Sequence, residues 1–236
     1  MPRIEALCFD FDGVIADTET VWFSCIYRYC LAKNPRTDRA ALLAYLGDGD
    51  VEMIRMACQY SGSAKEELLA RVREDFHRHT EHMDARPGIR ACLRYARQAG
   101  IPVAVVSNST VGYVERWLQR LQLADMIASV VANDGSMPLK PAADLYLCAL
   151  RRLGVRAENA LAFEDSVIGL KAALAAGMRA VGYPTALSEA ALRAFHPLCV
   201  DLAEVSPADL IRRLGAEEPR SIRGDVANDN TVTNKD

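Results

Sequence analysis

Cys8-Phe9-Asp10-Phe11-Asp12-Gly13-Val14-Ile15-Ala16-Asp17-Thr18-Glu19 is the stretch from which the rest of the chain can be read. Ile4 to Phe9 is a short, mostly apolar run of β-forming residues, and it stops at an acidic segment containing glycine. Two carboxylates spaced two residues apart therefore leave the end of a buried strand, which is where open α/β sheets place their chemistry. A lone Asp-x-Asp carries little weight, because acidic pairs are common on protein surfaces.

Three further segments follow: Val105-Val106-Ser107-Asn108-Ser109-Thr110, Leu139-Lys140-Pro141, and Ala162-Phe163-Glu164-Asp165-Ser166-Val167-Ile168-Gly169. Each sets a polar or charged group just after an apolar run or, for Lys140, shortly beyond one. In this order the four segments resemble the four motifs of the haloacid dehalogenase (HAD) superfamily of phosphohydrolases. The surrounding wording resembles most closely the subfamily of β-phosphoglucomutase and small sugar-phosphate phosphatases, over roughly residues 4 to 205.

The resemblance implies a Rossmann-like parallel-sheet α/β core with an inserted α-helical bundle that acts as a mobile cap. The expected division is residues 1–15 and 86–215 for the core, 16–85 for the cap and 216–236 for a disordered polar tail. Periodicity supports the outline. After the Asp10 loop the pattern is helical for about seventy residues, with Trp22, Cys25, Ile26, Tyr29 and Cys30 on one face. Ser63 with Glu66 spells a capping box before a helix whose buried stripe should be Leu69, Val72, Phe76, His79 and Met83. From Arg86 onward strands and helices alternate, the signature of a parallel sheet covered on both faces.

Phosphoryl transfer needs a nucleophile, positive charge for the phosphate oxygens and a proton donor for the leaving alcohol. Asp10 is the candidate nucleophile, since a carboxylate can accept a phosphoryl group as an aspartyl-phosphate that water then hydrolyses. Asp12 is placed to be the general acid and then the base. Glu164 and Asp165 offer hard oxygen ligands suited to Mg2+. The family pattern adds a second oxygen of Asp10 and the backbone carbonyl of Asp12 to that metal set. Lys140 supplies a fixed positive charge, and Ser107 and Asn108 supply hydrogen-bond donors for the phosphoryl group.

The substrate is read from two departures. Many relatives carry a histidine at the position of Trp22, and those that act as mutases offer a basic side chain in the cap loop after a glycine. Here that loop reads Leu46-Gly47-Asp48-Gly49-Asp50, which would repel a second phosphate and suits hydroxyl groups or an amine. The expectation is a phosphatase rather than a mutase, with Asp48, Asp50 and Trp22 bearing on specificity. His77, His79 and His82 spread around a helix and read as packed or solvated side chains rather than a metal site.

Composition sets the remaining bounds. The chain has 236 residues, half of them hydrophobic, enough to bury a substantial core. A formal charge of −3 argues against a general nucleic-acid or membrane-surface binder and leaves a small phosphorylated metabolite as the expected partner of a monomer or homodimer. Seven scattered cysteines without Cys-x-x-Cys spacing, and the absence of a basic-then-apolar leader, suit a reducing cytoplasm.

Overall fold

The computed structural model describes residues 3–45, 51–196 and 198–216. Asp48 and Asp50, the 46–50 loop and the expected tail from 217 lie outside the described residues. The first strand, β1 (Ala6–Phe9), is the centre of a five-stranded parallel sheet. Among the described residues four helices then intervene: α1 (Thr18–Lys33), α2 (Arg39–Leu43), α3 (Val51–Ser61) and α4 (Lys65–Thr80). The alternation resumes with α5 (Ile89–Ala99), β2 (Val103–Thr110), α6 (Val111–Arg120), β3 (Ser129–Asn133) and α7 (Asp144–Leu153). It ends with β4 (Ala160–Glu164), α8 (Val167–Ala175), β5 (Arg179–Gly182), α9 (Glu189–Phe195) and α10 (Pro207–Ala216). The strand order is β3-β2-β1-β4-β5, and every pairing is parallel.

Strand parity explains the layers. Leu7, Phe9, Val103, Val105, Leu161, Phe163 and Val181 point to one face, which α5, α6 and α10 cover through Leu93, Leu118 and Leu210. Ala6, Cys8, Ala104, Val106, Ala160, Ala162 and Ala180 point to the other, where α7 and α8 settle with Tyr146 and Leu170. The second face is built mostly of small side chains, so those helices lie close to the strands. Close packing on both faces is what buried parallel sheets require.

The inserted helices pack on one another, α1 against both α3 and α4. Two details differ from the sequence expectation. The residue preceding α4 is Ala64, which makes no side-chain cap, and the Ser63 hydroxyl lies 2.8 Å from the Tyr29 hydroxyl instead. The buried stripe of α4 is Leu68, Val72, Phe76 and Thr80, one position away from Leu69 and His79 at its ends. Leu198 to Val200 forms only an isolated bridge, Cys199 to Gly182, beside β5. Among the described residues no helix is long and apolar enough to cross a membrane.

Candidate active site

Register brings the acidic groups together. Phe9 pairs with Phe163, their rings stacked 4.6 Å apart, and the Asp10 backbone N–H donates to the Phe163 carbonyl at 3.0 Å. The next residue on each strand, Asp10 and Glu164, therefore leaves on the opposite face, beneath α7. Both are buried, as is the neighbouring Asp165. Asp10, Glu164 and Asp165 each offer an oxygen within 4.8 Å of the others.

Lys140 arrives from the loop between β3 and α7 and is buried among the carboxylates. Its Nζ donates at 2.7 Å to Asp10 Oδ1, to Glu164 Oε1 and to the Val106 carbonyl, which uses all three of its protons. Tyr146 of α7 donates its hydroxyl to the same Glu164 oxygen. Burial alone would discharge the lysine, but Asp10 and Glu164 override it and hold the ammonium well above its ordinary range. Burial likewise pushes Asp10 up, opposed by Lys140 and reinforced by Glu164. Asp165 rises through burial and the nearby Glu19, Asp10 and Glu164, with Arg86 pulling the other way.

Three buried carboxylates against one ammonium leave negative charge unmatched in a low-dielectric place. Glu164 Oε2 and Asp165 Oδ2 are buried and have no hydrogen-bond partner among the described residues. Each is seated against a glycine: a Cβ on Gly169 would stand 1.9 Å from Glu164 Oε2, and one on Gly13 would stand 2.0 Å from Asp165 Oδ2. Gly13 also has φ +82°, which a side chain would strain. Oxygen-only donors, unsatisfied and held in place, are what a hard divalent cation takes. Asp10, Glu164 and Asp165 could hold one.

Asp12 has different neighbours. Its Oδ1 accepts from the Thr18 hydroxyl at 2.5 Å and the Tyr113 hydroxyl at 3.2 Å, and its Oδ2 accepts from Ser109 at 2.6 Å. Ser109 is aimed there because the β2–β3 register shifts between Ser107 and Thr110, an irregularity of the kind that redirects side chains. The same shift turns Asn108 toward Lys140, whose backbone N–H it accepts at 2.8 Å and whose carbonyl it donates to at 3.2 Å. Asn108 thus braces the lysine loop. Ser107 is buried and its Oγ accepts from the Ser109 N–H at 3.0 Å.

Arg86, which opens the return from the inserted helices to the sheet, was not singled out by the sequence. Its guanidinium lies 3.6 Å from the centre of the Tyr183 ring and donates to the carbonyls of Gly13, Tyr183 and Pro184. Its backbone N–H donates to Ile15 at 2.8 Å. Trp22 packs edge-on against Phe76 at 5.6 Å, inside the helical insert, and its Nε1 has no partner among the described residues. His79 does meet Cys25 and Asp75 in a second trio of ligand-type side chains. The Arg28 guanidinium fills that position, 2.9 Å from Asp75 and 3.3 Å from Cys25 Sγ, so the trio is an ion-paired helix contact.

A doubly wound parallel sheet whose strand ends gather carboxylates around one lysine defines an α/β enzyme with its chemistry at the carboxyl edge. The sequence profile of the haloacid dehalogenase-like hydrolases matches residues 7–183, and the chain belongs to that family. Protein CbbY of Cupriavidus necator is 33% identical over 211 residues, covering 78% of this chain and 80% of its own. A Thermotoga maritima protein named phosphorylated carbohydrates phosphatase is 29% identical over 181 residues, covering 75% of this chain and 84% of its own. The crystal structure of CbbY from Rhodobacter sphaeroides in complex with phosphate superposes with a TM-score of 0.66 at 28% identity, over 85% of this chain and 96% of that one. The protein is a hydrolase of the phosphatase type.

Proposed function

We propose that the protein is a Mg2+-dependent phosphatase of sugar or polyol monophosphates that works through an aspartyl-phosphate on Asp10. The carrying observation is the division of partners between two carboxylates two residues apart. Asp10 faces an ammonium, which pulls against the rise that burial and Glu164 impose on its carboxyl group. Asp12 faces three neutral hydroxyls, which can donate to a carboxylate or accept from a carboxylic acid and so tolerate both protonation states.

In the first step an Asp10 oxygen bonds to phosphorus, the bond from phosphorus to the alcohol oxygen breaks, and the Asp12 proton goes to that oxygen. In the second, the Asp12 carboxylate takes a proton from water, whose oxygen bonds to phosphorus as the bond to Asp10 breaks and phosphate leaves. Lys140 steadies Asp10 and Glu164 throughout, braced by Asn108 and Tyr146. Bound by Asp10, Glu164 and Asp165, with the Asp12 carbonyl as the family pattern adds, Mg2+ would offset the buried negative charge and polarise the phosphoryl oxygens. Residues 16–85 act as the cap and residues 1–15 and 86–215 as the core, hinged near Ala16 to Asp17 and Ala85 to Arg86. Closure excludes bulk water.

The sugar-phosphate reading rests on the Thermotoga relative named for phosphorylated carbohydrates, and the preference for hydrolysis over mutase chemistry on the acidic 46–50 loop. Phosphate release is to be measured over a panel of phosphorylated sugars, polyols, phosphoglycolate and nucleotides, with Mg2+ and with chelator. Mg2+-dependent release confined to carbohydrate phosphates, and lost in Asp10→Asn, is expected. Interconversion of hexose 1- and 6-phosphates faster than phosphate release would instead make the protein a mutase.

A further inference from the structure

We propose that Tyr113 is a positioning residue for the reaction, holding the Asp12 carboxyl group in the direction from which it protonates the departing alcohol. The inference rests on Asp12 being the general acid, as set out above. Of the hydroxyls on Asp12, Thr18 is the first residue of α1 and so belongs to the inserted helices, whereas Tyr113 stands in the first turn of α6, against the sheet. Its ring is fixed by two aromatic neighbours, Phe11 at 5.9 Å edge-on and Trp117 at 6.3 Å. Phe11 is the buried residue between the two catalytic aspartates, and it also meets Trp117 at 6.2 Å. One side chain therefore touches residue 11 with its ring and residue 12 with its hydroxyl.

That double grip has a chemical consequence. Asp10 is oriented by a charged lysine and by the strand pairing beneath it, whereas Asp12 lies beyond the end of β1. When α1 moves with the insert, the Thr18 contact moves with it. Ser109 and Tyr113 remain, one on each carboxylate oxygen, and together they define the plane of the carboxyl group. Ser109 reaches its oxygen from a short side chain near the end of β2. The tyrosine hydroxyl lies in the plane of a ring that is wedged, so it supplies the directional constraint. Proton transfer depends steeply on such alignment.

The test separates proton delivery from general damage. An activated aryl phosphate such as p-nitrophenyl phosphate expels a phenolate that needs no proton, whereas the best carbohydrate phosphate of the panel expels an alkoxide that does. kcat/KM, which reports the step that releases the alcohol, is measured on both for Tyr113→Phe, Asp12→Asn and Trp117→Phe, each checked for folding by thermal melting. Tyr113→Phe should lower kcat/KM on the carbohydrate phosphate by about 10-fold more than on the aryl ester, the loss of one hydrogen bond to the carboxylate that develops on Asp12 as its proton departs. Trp117→Phe loosens the same aromatic cluster without removing a hydroxyl and should lower both in equal proportion. A Tyr113→Phe ratio equal to that of the parent overturns the inference, provided Asp12→Asn still discriminates between the substrates. If Asp12→Asn does not discriminate, the acid assignment itself falls and the inference with it.

Discussion

Replacing Gly169 by alanine inverts the usual outcome of that substitution. In an unstrained helical position alanine stabilises relative to glycine by about 1 kcal/mol. Gly112 of α6 shows the ordinary case, since a Cβ there would meet only the Arg116 side-chain tip, at 3.4 Å. Gly112→Ala should therefore raise stability by about 0.5–1 kcal/mol. A Cβ on Gly169 would stand 1.9 Å from Glu164 Oε2, the end of a side chain that would normally swing aside. Here it is fully buried, with its other oxygen held by Lys140 at 2.7 Å and by Tyr146, so it has nowhere to go. Overpacking of this kind costs about 1–3 kcal/mol. Displacing a charge-assisted hydrogen bond would add about 1.5–3 kcal/mol more. After the propensity gain is subtracted, a net loss of about 1.5–5 kcal/mol is expected for Gly169→Ala. Paired thermal and urea melts decide it, with about 2–4 °C of midpoint per kcal/mol in a chain of this size. A Gly169→Ala midpoint that rises together with that of Gly112→Ala would show Glu164 to be mobile and refute the rigid, pre-shaped carboxylate.

Other expectations follow from the same contacts. Lys140→Met leaves Asp10 and Glu164 without their shared ammonium, and breaking such a buried pair costs about 3–5 kcal/mol, visible as a lowered urea midpoint alongside lost turnover. Tyr146→Phe removes one donor from a buried carboxylate and should cost about 1–3 kcal/mol, less than Lys140→Met in the same melts. Burial pushes the thiols of Cys8 and Cys92 up to about 12 and those of Cys25 and Cys30 to about 11, from an ordinary 9.0. Above pH 9 the unfolded chain releases those protons and the folded chain keeps them. Stability contributed by the buried thiols is thus full below pH 9 and declines as pH rises toward 11 and 12, by about 1.4 kcal/mol per unit for each group in that window. Urea midpoints that stay level from pH 8 to 10.5 would contradict this. At pH 8 the same four thiols should react with a disulfide reagent only as fast as the protein unfolds.

Much of the core could be read from residue alternation alone. Ala-Leu-Cys-Phe followed by Asp, and Ala-Leu-Ala-Phe followed by Glu, are two copies of one parity, and pairing them in register puts both carboxylates beneath one helix. The side chains that brace the site were not legible, because their meaning depends on how a helix sits on the sheet. Tyr146 and Tyr113 look like ordinary core aromatics at helical spacing, and only the rotation of α7 and α6 directs their hydroxyls at Glu164 and Asp12. Arg86 looks like a surface charge until three separate carbonyls converge on it. The capping box failed for a comparable reason: the Ser63 hydroxyl had a tertiary partner, Tyr29, that local spacing could not foresee. A stripe on α4 displaced by one residue is the usual consequence of packing against a neighbour whose angle the sequence does not state.

Arg86 and Ile15 have a consequence for how proteins of this shape can diversify. The inserted helices leave the sheet after residue 15 and return at residue 86, and the Arg86 N–H to Ile15 carbonyl bond closes the gate between those two points. The guanidinium fastens the gate to Gly13 and to the carbonyls beyond β5. Among the described residues between those two points, no strand joins the sheet. The floor on which Asp10, Lys140 and Glu164 stand is built from strands and loops on either side of that gate, so the length and composition of the insert can change without moving a strand beneath those three residues.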